Sequence, residues 1–171
     1  MINLKQAAAV VAAATAICAA FVQPFEGTRY KAYLDPIGIP TICEGHTGPG
    51  VRLGQVATRA QCDAYLRADL AVAAGTVQRC YPDYYKLNPN QFAAWQSFTF
   101  NVGPGKKGVK DGFCVLRSGA EPSHLRALKA GNVPLACSHL SQWAKANNVP
   151  LRGLVVRRQA EINLCGTPYV K

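Results

Sequence analysis

Glu26, Asp35 and Thr41 fall within one short stretch, FEGTRYKAYLDPIGIPT, of a chain with few acids to place there. Only nine carboxylate side chains occur in 171 residues, and two of them lie here. Eight residues separate Glu26 from Asp35, and five separate Asp35 from Thr41. Such a set suits the cutting of a glycosidic bond. The leaving oxygen needs a proton donor, and the sugar needs a group that stabilises its positive charge or aims water at it. A carboxylic acid partly buried among apolar neighbours holds its proton near neutrality. Pro24, Phe25 and the apolar run before them give Glu26 that setting. Asp35 precedes Pro36 at a turn, a polar place, and Thr41 can hydrogen-bond a water. The same residues have ordinary uses: Glu26 as a helix cap, Asp35 as a turn opener, Thr41 as a strand residue. Spacing alone does not choose between the two.

The elements that would hold these residues can be read from local signals. Residues 33–54 are rich in Gly and Pro and predict short strands and turns. Thr58 and Gln61 form a Thr-x-x-Gln capping box that opens a helix to about Arg79. Asn88-Pro89-Asn90-Gln91 is a second start signal, with Pro at the first helical position. It leads a hydrophobic helix, Phe92 to Phe100, ended by the run Asn101 to Gly105. Shorter helices are expected near 113–118, 122–130 and 134–146, and a last one from about Leu154 to Leu164. No repeat or low-complexity linker interrupts the chain. The layout is α+β, a small strand-bearing lobe and a larger helical lobe with a cleft between them.

Composition narrows the partners. Length predicts a single domain. The net charge of +10 points to an anionic partner such as nucleic acid, an acidic membrane surface or an acidic cell-wall glycan. No zinc-finger spacing, aromatic RNA-binding set or long Lys/Arg run supports nucleic acid. Seven cysteines stand at 18, 43, 62, 80, 114, 137 and 165. None forms a Cys-x-x-Cys pair, which argues against zinc and thioredoxin-like chemistry. Wide spacing favours disulfides in an oxidising compartment, with one thiol left over.

The N-terminus is uncharged from Gln6 to Phe25. Its apolar run, Ala7 to Val22, would be about 24 Å long as a helix, short of a hydrocarbon core of about 30 Å. Nine of its sixteen residues are Ala, so it is weakly hydrophobic. It reads as a cleaved signal peptide, a weak membrane anchor or a buried Ala-rich helix. Ile17 before Cys18 argues against a lipoprotein site. Lys5 and the amino terminus put positive charge on the cytoplasmic side. Cleavage after Ala20 would leave Glu26 six residues from a cut end and poorly held, so an uncleaved segment is expected.

The motifs together resemble the phage-type muramidases, the T4-like lysozymes of glycoside hydrolase family 24. The likeness runs through Glu26-Gly27-x-Arg29, Ala32-Tyr33-x-Asp35-x-x-Gly38, Thr41-Ile42 and Gly45-His46. It continues with Phe100-Asn101-Val102-Gly103 and with Gly153-Leu154-x-x-Arg157-Arg158-x-x-Glu161. It covers about residues 25 to 165, and Cys43 departs from it where many relatives have Gly. The resemblance implies hydrolysis of the β-1,4 bond between N-acetylmuramic acid and N-acetylglucosamine of peptidoglycan, without cofactor or metal. It implies Glu26 as general acid, with Asp35 and Thr41 positioning water or stabilising the transition state. Arg157 would lie near the catalytic Glu or pair with Glu161, His46 would pair with Asp69 for structure, and Asn101 would line the glycan groove. It further suggests disulfides Cys43–Cys62, Cys80–Cys114 and Cys137–Cys165, with Cys18 free or exchanging with Cys43.

The N-terminus is similar to that of signal-arrest-release endolysins. Residues 1–24 would tether an inactive enzyme to the host inner membrane, and 25–171 would form the catalytic domain, later active in the periplasm as a monomer. Two rival functions remain: a lytic transglycosylase on the same bond, and a non-enzymatic, basic membrane-active protein.

Overall fold

The computed structural model describes residues 4–35, 37–146 and 149–170. Among these, the chain forms α1 (Leu4–Glu26), then a three-stranded antiparallel sheet of β1 (Arg29–Leu34), β2 (Pro40–Cys43) and β3 (His46–Thr47). There follow α2 (Arg59–Cys80), α3 (Pro89–Val102), α4 (Ser123–Lys129), α5 (Val133–Ser138), the short hairpin β4 (Lys145–Ala146) and β5 (Val149–Pro150), and α6 (Arg152–Gly166). This is the expected α+β, lysozyme-like arrangement of a small strand-bearing lobe and a larger helical one.

α3 is the centre of the helical lobe. Phe92, Trp95 and Phe98 are fully buried, and so are Gln96 and Ser97. A helix buried on all sides needs neighbours on all sides, and α1, α2 and α6 pack around it. The expected capping box forms at α2, and the expected start signal of α3 proves to be a capping box as well. Thr58 and Gln61 exchange hydrogen bonds at the start of α2, as do Asn88 and Gln91 at the start of α3.

The N-terminal segment is part of this core. Alanine favours helix, and α1 runs 23 residues without a break, about 34 Å. It is long and apolar enough to cross a membrane, yet one stripe of it, Ala7, Ala14, Cys18 and Val22, is buried against the domain. The helix continues through the expected boundary between residues 24 and 25. It ends only at Gly27, whose φ of +66° and N–H bond to the Gln23 carbonyl close the last turn.

The small lobe has its own core of Ala32, Ile42, Cys43, Val51, Ala57 and Cys62. Tyr33 pairs with Thr41 and Leu34 with Pro40 across the β1–β2 hairpin. Cys43 has a φ of +58° and, among the described residues, is the non-glycine with positive φ. The residue that departs from the family glycine therefore keeps a glycine-like backbone, held by its bond to Cys62. Two further disulfides join Cys80 to Cys114 and Cys137 to Cys165.

Two expected helices differ. Residues 113–118 form turns, with Gly112 N–H bonded to the Val115 carbonyl and Leu116 N–H to that of Ala120. The apolar run there is too short to carry a helical period, and Gly112 and Gly105 backbones pack too closely for side chains. The expected 134–146 helix is α5 followed by a 3-10 turn, His139–Trp143, and then β4.

Candidate active site

Glu26 is the last residue of α1, and its carboxylate meets the guanidinium of Arg157 on α6, Nη1 to Oε1, at 2.5 Å. The Glu26 side chain is 21% exposed and that of Arg157 only 5%. The apolar setting expected for Glu26 is thus only partial. Phe25 does lie under the Arg157 guanidinium, 5.6 Å from ring centroid to Cζ, but the direct neighbour of the carboxylate is a cation.

Arg157 is itself anchored from behind. Its Nε lies 3.3 Å from Glu161 Oε1, one helical turn on, so both expected partners of Arg157 are present. Glu161 is fully buried and also accepts a hydrogen bond from Ser97 Oγ at 2.7 Å. Arg158 approaches the same carboxylate, with Nη2 3.3 Å from Oε1 and Nε 2.9 Å from Oε2, the latter out of line for a hydrogen bond. Burial pushes the Glu161 carboxyl above the ordinary carboxylate range, against the pull of Arg158, Ser97 and Arg157. Burial likewise lowers Arg158 to about 10. Neither Ser97 nor the burial of Glu161 was foreseen. Ser97 lies in an apolar helix with nothing in its own segment to mark it.

Glu26, Asn101 and Arg157 share a cleft of about 670 Å³ that Pro24, Phe25 and Leu154 also line. Asn101 is oriented by Arg158, which donates to its Oδ1 at 2.8 Å. Past Asn101 and Leu154 a second depression continues along the helical lobe toward Arg117, Arg126 and Lys145. The whole is an open groove with basic residues along its far end, suited to a polymer.

Asp35 and Thr41 stand on the β1–β2 hairpin and are not among the residues lining the cleft. Asp35 Oδ1 accepts from the Ile37 and Ile39 N–H groups at 2.9 and 2.8 Å, an arrangement that fixes the turn and the carboxylate together. Thr41 is buried and donates its hydroxyl to the Ile39 carbonyl. Both side chains therefore tie the hairpin together in this arrangement. His46 pairs with Asp69 on α2, Nδ1 to Oδ2 at 2.9 Å, and stacks on Tyr65, joining the small lobe to the helical one. Cys18 is fully buried. In this arrangement Cys18 is free and Cys43 is bonded to Cys62.

The sequence model of the phage lysozyme family matches residues 23–161, most of the chain and all of the cleft. The chain belongs to the phage lysozyme family. A SAR-endolysin of Bacteriophage PS119 is 34% identical over 142 residues, covering 82% of this chain and 75% of that one. The active form of the P1 phage endolysin Lyz superposes with a TM-score of 0.72 at 28% identity, over 85% of this chain and 80% of the other. The muramidase domain of SpmX from Asticaccaulis excentricus does so with a TM-score of 0.72 at 30% identity, over 89% and 96%. As a phage lysozyme, the protein is a glycoside hydrolase of the endolysin type. The lysozyme cleft sits between the C-terminal end of its apolar helix and α6.

Proposed function

We propose that this lysozyme is a muramidase that hydrolyses the β-1,4 bond between N-acetylmuramic acid and N-acetylglucosamine in peptidoglycan, with Glu26 as its proton donor. The observation that carries this reading is the position of Glu26, partly buried, paired with Arg157 and opening onto the cleft it shares with Asn101. Asp35 and Thr41 act from the hairpin when glycan lies between the lobes, positioning water or stabilising the transition state. The positive charge of the chain draws it to the acidic wall.

The length and composition of α1 support a tethered form in the host inner membrane before release. The helix is long and apolar enough to span a bilayer, and weakly hydrophobic enough to leave it, since Ala contributes little to insertion. Tethered in the host inner membrane, it cannot bury Ala7, Ala14, Cys18 and Val22 against the domain, and Glu26 cannot reach Arg157 as it does here. Activity in the periplasm begins when the helix leaves the bilayer and packs as in this structure.

The test is digestion of purified peptidoglycan by wild type and Glu26→Gln, with the fragments read by mass spectrometry. Reducing muropeptides from wild type alone are expected. Anhydro ends would instead mean a transglycosylase, and equal release by both proteins would remove Glu26 from the chemistry.

A further inference from the structure

The cation beside Glu26 poses a problem for the reaction. A proton donor must carry its proton, and the charged group that meets the Glu26 carboxylate, at 2.5 Å, is a cation. The surroundings of Arg157 supply the answer. Behind it stands Glu161, fully buried and fixed by Ser97. We propose that Glu161 is a positioning residue for the hydrolysis, which shares the charge of Arg157 and so keeps Glu26 able to hold a proton. This rests on the reading of Glu26 as the proton donor.

Geometry supports the division of charge. Arg157 uses different atoms for its two acids, Nη1 for Glu26 and Nε for Glu161, so it can face both at once. Ser97, on the central and most buried helix, donates its hydroxyl to Glu161 Oε1 at 2.7 Å. Arg158, the second cation, is directed to Glu161 and Asn101 and away from direct contact with Glu26. In a buried site such attractions are weakly screened, so moving one counter-charge changes what its neighbour feels.

The remaining groups around the pair add no competing acid. From α1 come Glu26 and the fully buried thiol of Cys18. From α3 come Ser97 and Asn101, both uncharged. α5 brings Cys137, which is bonded to Cys165. His139, on the turn after α5, acts on His124.

The sign of the effect is defined. Without the Glu161 charge, Arg157 acts on Glu26 alone and stabilises its carboxylate, so the donor form is lost at lower pH. In Glu161→Gln the alkaline limb of the rate–pH profile on peptidoglycan is expected to move toward acid by half a pH unit or more. Ser97→Ala, which removes one hydrogen bond and no charge, is expected to move it the same way by less. Melting temperature is recorded for both. A limb that stays in place while the rate falls would overturn the inference, because that is the result of a purely structural role, and so would a limb that moves toward alkali. If Glu161→Gln does not fold, Ser97→Ala decides by the same limb. Failure of wild type to release reducing ends, or full activity in Glu26→Gln, would instead strike the reading of Glu26.

Discussion

Thr15, on the apolar helix, accepts a hydrogen bond from Gln96 Nε2 at 3.1 Å, and the same amide also donates to the Leu70 carbonyl at 2.9 Å. Gln96 is fully buried on α3. One polar residue in the middle of an alanine-rich segment thus meets one amide in the middle of the core, a polar contact that joins α1 to α3.

Thr15→Val is the variant that isolates this contact. It keeps the shape and removes the oxygen. Loss of the bond is expected to cost the soluble enzyme about 1 kcal/mol, seen as a lower urea midpoint. On the proposed reading of α1 as a membrane tether, the same change makes the segment more hydrophobic and is expected to hold it longer in the bilayer. Both effects favour the tethered state, so lysis of expressing cells is expected to begin later. Unchanged midpoint and lysis time would show that Thr15 does not set the docking.

His124 makes stability depend on pH. It is fully buried among Trp95, Phe98, Phe113 and Trp143, with Nε2 donating to the Phe113 carbonyl at 3.0 Å and Nδ1 without a partner. Burial lowers it from 6.5 to about 4. The unfolded chain therefore binds the proton first as pH falls. The contribution of neutral His124 is complete above pH 6.5 and is lost between 6.5 and 4, about 3 kcal/mol in all. His124→Phe, which cannot take up a proton, is expected to be less stable at pH 7 but to lose this part of the slope. Denaturant titrations at pH 7, 5.5 and 4.5 check it, and equal slopes in both proteins would refute it.

Cys43 carries backbone strain that its disulfide offsets. A left-handed φ costs an ordinary residue about 1–2 kcal/mol, and glycine adopts it freely. With Cys62 replaced by Ala, Cys43→Gly is expected to be more stable than Cys43→Ala by up to about 1 kcal/mol. Chemical denaturation of the two double variants compares them. The reverse order would mean that the buried methyl outweighs the strain.

The parts of the fold legible in the sequence were those with local chemistry. Thr58 with Gln61, and Asn88 with Gln91, announce their helices because each cap is satisfied within four residues. The His46–Asp69 pair came from family resemblance. Other features depend on contacts distant in sequence. Ser97 and Glu161 are 64 residues apart and meet only when α3 and α6 pack. The buried stripe of α1 has the right spacing, but alanine on every face removes the contrast that periodicity needs. Residues 113–118 follow the close approach of Gly105 and Gly112 and the bond from Cys114 to Cys80, none of which a short apolar run discloses.

Glu26 is the final residue of an unbroken helix that is gripped along its length by the core. The helix behaves as a ruler whose marks are set at Ala7, Ala14, Cys18 and Val22, with Glu26 at its tip. Each residue of a helix turns the chain by about 100° and advances it by about 1.5 Å. One residue inserted or deleted between Val22 and Glu26 would therefore swing the carboxylate off Arg157 while leaving the docked stripe untouched. The four-residue distance from Val22 to Glu26 is as much a part of the cleft as the acid itself, whereas the outward face of the helix carries no such constraint on its composition.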